Sequence, residues 1–169
     1  MAFGIRVKAT GGDWKFIPKL IRKLAPRIFR SRLDKSVKKA AEFIASEVRD
    51  GIESGAPGGI PFTPLAASTI KRKGHPRPLI HTRALISDIK ARRIAEGRWR
   101  VGPDLDTPHP KGSKVFPRII DIASLHEVGS EGGQVPARPF IEPVVEEKRE
   151  EVLKEMLKGL DAAIDARRS

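Results

Sequence analysis

The stretch DKSVKKAAEFIASEVRDGI, residues 34–52, carries the clearest periodic pattern in the chain and decides the fold class. Its apolar side chains recur every three or four residues, which is the spacing of one face of an α-helix. We predict a helix that starts at Ser31 or Asp34 and ends near Gly55. Because the charged side chains fall mostly on other faces, this helix must pack against the rest of the protein. The apolar positions are Val37, Ala40, Ala41, Ile44, Val48 and Ile52.

The C-terminal stretch VVEEKREEVLKEMLKGLDAAIDARR, residues 144–168, repeats the same spacing and predicts a second long amphipathic helix. Acidic residues are frequent in its first turn and arginines end it, as the helix dipole favours. Its predicted apolar stripe is Val145, Val152, Leu153, Met156, Leu157, Leu160 and Ile164.

Shorter elements lie before and between the two helices. Residues 90–101 turn at Glu96-Gly97, and beyond the turn apolar and charged side chains alternate, which predicts a β-hairpin. Short helices are expected within residues 65–74 and 82–89, while residues 119–129 suit a strand or a helix. Residues 3–9 predict a further strand, and a helix is expected to follow Asp13. The fold class is therefore α+β, with a small, mostly antiparallel sheet flanked by two long amphipathic helices.

Charge divides the chain unevenly, although the total is +12. Residues 1–40 hold 12 Lys or Arg and 2 acids, and residues 67–100 hold 10 and 2, whereas the remainder is net acidic. We assign residues 1–34 to a basic N-terminal extension and residues 35–169 to a single α+β domain. Such basic segments indicate either an acidic protein partner or a polyanion, or else only a well-solvated surface.

No catalytic pattern emerges from the sequence, and we expect neither an enzyme nor a cofactor or metal. The chain has no cysteine, and its four histidines do not form the HExxH pattern of zinc proteases. Gly-rich stretches lack the Lys-Ser/Thr of a phosphate loop. Asp104, Asp106 and Asp121 are the densest carboxylates that a hard metal could use, but turns favour aspartate too. No apolar run is long enough for a membrane, and no export signal is expected.

The stretch HEVGSEGGQVPARPFIEP, residues 126–143, holds reactive side chains within a glycine- and proline-rich turn. We interpret it as a structural corner in which Arg138 bonds backbone carbonyls or an acidic neighbour, and Phe140 anchors the last helix in the core. Acid–base work by Glu127 or Glu142 is the alternative. The residues that we expect to serve interaction are Lys71, Arg72, Lys73, Arg77, Arg138 and Phe140.

The order of short motifs resembles the tail-component and tail-completion proteins of tailed bacteriophages, which act in virion morphogenesis at the neck. Those motifs are a Leu-x-x-Ser-Thr helix, a Pro-Leu…Thr-Gly-x-Leu-x-x-Ser-Ile turn, a Val-Gly-Pro strand end, a His/Glu-Phe-Gly step and a Pro-Ala-Arg-Pro-Phe corner. The matching residues are Ser68, Thr69, Pro78, Leu79, Thr82, Leu85, Ser87, Ile89, residues 101–103, Glu127, Gly129 and residues 136–140. Together they span about residues 35–165.

Two residues depart from the family pattern. Arg83 replaces a glycine, which disfavours a left-handed turn after Thr82. Val128 replaces a phenylalanine. Neither change is expected to alter the fold.

The resemblance implies a non-enzymatic protein of the virion neck or upper tail, assembled in the host cytoplasm. It implies a homo-oligomeric ring, often a hexamer, that completes the tail and helps join it to the DNA-filled head. Its partners would be neck, connector and tail-tube proteins, with non-specific contact to packaged DNA and none to a membrane. A tail-terminator or head-closure ring is the alternative within this biology. A sequence-independent DNA-binding protein is the alternative from another class.

Overall fold

A computed structural model describes residues 27–110 and 114–168. The strand expected at residues 3–9, the helix expected after Asp13 and most of the basic N-terminal extension therefore lie outside the described residues. Within the described part, the chain folds as helix α1, a short 3-10 turn, helices α2 and α3, a hairpin, and helices α4 to α6. This mixture of helices with an antiparallel sheet confirms the α+β class.

Helix α1, Arg27–Ser54, is longer at its start than the predicted helix and ends where it was predicted to end. Beyond its last residue, Gly55 has a φ of 82° and donates its amide to the Gly51 carbonyl at 3.0 Å. The predicted apolar face lies in the core, with Val48 and Ile52 essentially inaccessible to solvent. The other elements pack around this face.

The second long helix is divided into α5, Glu142–Glu147, and α6, Arg149–Arg168. The backbone of Lys148 leaves the helical region, at φ −92° and ψ 8°. Hydrogen bonds nevertheless run across the bend, from the Lys148 amide to Val144 and from the Val152 amide to Lys148. The apolar pattern therefore continues unbroken through the bend, which explains why the sequence predicts one helix.

Helix α6 lies antiparallel to α1 and approaches it most closely at a small residue. Gly159 faces Ser36, and a methyl group at residue 159 would overlap the Ser36 side chain. Nearby, the Arg32 guanidinium donates to the Ala162 carbonyl at 2.9 Å. Only part of the predicted stripe packs inward, because Leu153 and Leu157 remain 44% and 53% exposed.

The hairpin consists of β1, Lys90–Ala95, and β2, Arg98–Gly102, with the predicted turn at Glu96-Gly97. It packs on α1, where the Asp34 carboxylate accepts the Gly97 amide at 2.8 Å and the Trp99 indole N–H at 3.2 Å. Arg93 pairs with the same carboxylate at 3.1 Å. Although burial opposes it, these donors lower the pKa of Asp34. Asp34 therefore fastens the hairpin turn to the first helix.

Three short helices, α2 Ala67–Lys73, α3 Ala84–Asp88 and α4 Ile119–Val128, complete the described fold. Residues 119–128 are thus helical, which resolves the choice between strand and helix. The turn before α3 differs from expectation, because Arg83 is left-handed with a φ of 61°. An ion pair between Arg83 and Glu53 of α1 holds the side chain in place. Val128 is 59% exposed, so its smaller side chain removes nothing from the core.

Candidate interaction surface

The stretch from residue 54 to residue 87 contains five Lys or Arg residues and no Asp or Glu. Three of the cations, Lys71, Arg72 and Lys73, form the last turn of α2, where the helix dipole favours positive charge. Gly74 ends the helix in a left-handed conformation and donates its amide to Ile70 at 2.8 Å. Lys71 and Arg72 are exposed, whereas Lys73 is half-buried. The helix thus presents a compact basic end to solvent.

Arg138 is nearly inaccessible, with 5% of its surface exposed. Its Nε donates to the Thr63 carbonyl at 2.8 Å and its Nη2 donates to the Pro64 carbonyl at 3.0 Å. Of the two partners that the sequence allows, the backbone carbonyls are therefore the ones observed. The planar guanidinium suits this role because its donors are fixed in a fork. The Arg138 side chain therefore connects residues 136–140, within the corner, to the loop that precedes α2.

The neighbouring carboxylate, Glu127 at the end of α4, also serves the corner. Its two oxygens accept the amides of Phe140 at 3.0 Å, Ile141 at 3.2 Å and Glu142 at 2.9 Å. These amides precede or begin α5, where no helical carbonyl is available to them. Phe140 itself is fully buried. Glu127 thus caps the start of α5 and connects α4 to α5.

Lys73 and His126 lie within electrostatic reach of the Arg138 guanidinium. The Lys73 ammonium donates to the Arg77 carbonyl at 2.7 Å, and the Arg138 amide donates to the His126 carbonyl at 2.6 Å. Burial lowers the pKa of Lys73, and the positive charge of Arg138 lowers it further. The pKa of His126 falls to about 4 through burial, with added repulsion from Arg138 and Lys73. We call these three residues the recessed cation cluster.

The structure thus places the predicted interaction residues in two environments. Lys71, Arg72 and Arg77 are exposed around the recessed cation cluster, which contains Lys73 and Arg138. Phe140 lies in the core, so it contributes by holding the corner in position rather than by touching a partner. His126 was not among the predicted interaction residues, because no local sequence pattern indicates that it is buried near two cations.

A second basic surface lies in a shallow groove between α1 and α6, with a volume of about 380 Å³. Arg32, Lys35 and Lys39 line one side, since residues three to four apart share a helix face. Lys158 and Glu155 line the other side. Four cations therefore face one carboxylate in a groove that is open to solvent.

The carboxylates that a hard metal could have used have other partners. The Asp104 carboxylate pairs with Arg92 at 2.8 Å. It also accepts the Asp106 amide at 3.2 Å, and this hydrogen bond closes a turn. Asp121 pairs with Arg118 at 2.8 Å. Among the described residues, no three His, Asp or Glu side chains come close enough together to hold a metal. No described helix is long and apolar enough to cross a bilayer.

Comparison of the chain with protein-family models, with curated proteins and with solved structures finds no match. The residues and the surface that they form are therefore what indicates function. That surface offers positive charge at two places, one recessed and one open.

Proposed function

We propose that this chain is a structural protein of the head–tail junction, or neck, or of the upper tail of a tailed bacteriophage. It forms a ring, with six subunits as the expected number, that completes the tail and helps join it to the DNA-filled head. It is assembled in the host cytoplasm and stays in the virion. It acts by contact and does no chemistry.

One observation carries this proposal: residues of two motifs that resemble the tail-completion family, and the loop just before a third, meet at a single joint. The Glu127 carboxylate of one motif binds the backbone at Phe140 of another. Arg138 of that second motif fastens the loop just before the Ser68-Thr69 helix. A set of short motifs that matched by chance would have no reason to interlock. Their contact favours the resemblance as a description of the whole domain.

The position of the basic surfaces fits a protein that acts by contact. Lys71, Arg72 and Arg77 project from α2 and the turn after it, beside a corner that is held rigidly from within. Exposed cations on a rigid support suit an acidic face on a neighbouring neck, connector or tail-tube protein. A tail-terminator or a head-closure ring would use the same features, and it remains the alternative within this biology.

The open groove favours a second candidate function, sequence-independent binding to DNA. Arg32, Lys35, Lys39 and Lys158 supply the positive charge that phosphates require, without a built pocket for a base. In a neck protein the groove would face packaged DNA. In a stand-alone DNA-binding protein it would be the main site, and affinity would fall steeply with salt.

Deletion of the gene from its phage tests the proposal directly. We expect the lysate to contain filled heads and separate tails but no infectious particles, with infectivity restored when the wild-type chain is supplied in trans. A variant with Lys35 and Lys39 changed to glutamine separates the two candidates. A stand-alone DNA-binding protein would lose most of its DNA affinity, because the groove would be its main site, whereas a neck protein would still form its ring. If the deletion phage assembled complete, infectious particles, the neck role would be excluded.

A further inference from the structure

The recessed cation cluster of Lys73, His126 and Arg138 lacks a counter-charge. Arg138 is 5% exposed, yet its hydrogen bonds within the described structure go to the carbonyls of residues 63, 64 and 136 and not to a carboxylate. The carboxylate that follows His126 in the chain, Glu127, is turned toward the amides of residues 140–142. A buried charge without a partner of opposite sign is costly to the fold.

Two donor groups of the cluster are still available. A guanidinium has five N–H donors, and the firm bonds to Thr63 and Pro64 use two of them. The contact from Nη1 to Pro136 is 3.5 Å, at the limit of a hydrogen bond. The Lys73 ammonium has three donors, and Arg77 takes one of them. Several donors therefore remain near one point.

Buried imidazole nitrogens, one of them in the His126 ring of the cluster, are a second, independent sign of an incomplete site. The Nδ1 atoms of His126 and His75 are both buried, and neither has a hydrogen-bond partner within the described structure. Native proteins seldom leave a buried polar atom without a partner, and each exception calls for an explanation. An acceptor that enters from outside would satisfy an Nδ1–H and the cations together.

We propose that the recessed cation cluster binds one carboxylate from an acidic segment of a neighbouring protein. A carboxylate offers two acceptor oxygens and one negative charge, and guanidinium groups pair with it well. The cluster is a single recessed point, whereas a DNA backbone needs a row of exposed cations such as the groove between α1 and α6 provides. Lys71, Arg72 and Arg77, which are exposed, would attract the acidic segment before it docks.

The identity of the partner as a neck protein rests on the proposed function, but the binding itself does not. It can be measured on the isolated full-length chain by NMR, with the His126 imidazole as the reporter and a short oligoglutamate peptide as the probe. His126→Gln assigns the reporter signal. We expect saturable shifts of that signal, and a Lys73→Gln variant that binds the peptide about tenfold more weakly or worse.

Lys71→Gln is the matched control, because it removes the same charge from an exposed position on the same helix turn. We expect its affinity to stay within about twofold of wild type, as for a solvated rim charge. Lys73→Gln is preferred to a change at Arg138, whose carbonyl bonds support the fold. A short DNA duplex, tested in parallel, should leave the His126 signal in place.

The proposal would be overturned by a His126 signal that ignores the peptide, or by equal losses in the two lysine variants. A His126 signal that moves with DNA instead would assign the cluster to phosphate. If the chain bound the peptide but proved absent from the neck, the carboxylate site would be supported and the proposed function would be contradicted. If the chain formed a ring in the neck but did not bind the peptide, the proposed function would be supported and the carboxylate site would be contradicted.

Discussion

Replacement of Glu127 by alanine tests whether the corner at residues 126–143 is a joint rather than an active site. The carboxylate accepts three backbone amides, and two of them belong to Phe140, which is buried, and to Ile141, which is half-buried. A hydrogen bond to a charged group contributes about 1.5–3 kcal/mol, so the loss of two should cost about 3–6 kcal/mol. Since the free energy of unfolding of a small domain is about 5–15 kcal/mol, Glu127→Ala should lose a large fraction of that stability.

Denaturant unfolding followed by circular dichroism measures this cost. Glu127→Gln keeps an acceptor oxygen but loses the charge, so we expect it to fall between alanine and wild type. Glu131→Ala is the control, because Glu131 is an exposed glutamate in the adjacent turn. The joint interpretation fails if Glu127→Ala is destabilised no more than about 1 kcal/mol beyond that control.

Three further changes have distinct expected outcomes. Gly159→Ala should lower the melting temperature by overpacking α1 against α6, at about 1–3 kcal/mol, and Ser36→Gly in the same chain should recover part of the loss. The His126 pKa is depressed from 6.5 to about 4, so stability should be complete above about pH 6.5 and fall toward pH 4, by roughly 3 kcal/mol in all. His126→Gln should flatten that slope in pH-dependent melts. Charge reversal of residues 71–73 should leave the circular dichroism spectrum unchanged but reduce ring assembly or DNA retention in particles; normal infectivity would count against that surface.

Periodicity was sufficient to predict the elements that carry a long regular pattern. Helix α1 and the hairpin follow directly from spacings of three to four and of two residues. The apolar run at residues 119–128 has no such contrast between faces, so its helical state could not be chosen in advance. Local pattern fixes an element only where one face is polar.

Features set by distant residues could not be predicted in the same way. Arg83 adopts a conformation that glycine usually supplies, and its side chain pairs with Glu53 on another helix. The bend at Lys148 preserves the apolar spacing and leaves no mark in the sequence, while its ammonium reaches Glu47 of α1 at 3.2 Å.

The candidate site likewise has features that the local sequence predicts and features that depend on distant residues. Its basic character is evident from the absence of acids between residues 54 and 87, whereas the sequence left Arg138 either backbone carbonyls or an acidic neighbour as its partner. The placement of Lys73 and His126 beside Arg138 depends on how α2, α4 and the corner pack. Only the folded chain brings the two cations and the His126 imidazole together.

Imaging of purified virions by cryo-electron microscopy tests the central claim most directly. We expect density for this chain as a closed ring between the portal and the tail tube, with residues 71–77 turned toward an adjoining protein. Complete virions whose neck contains no copy of the chain would contradict the proposed function.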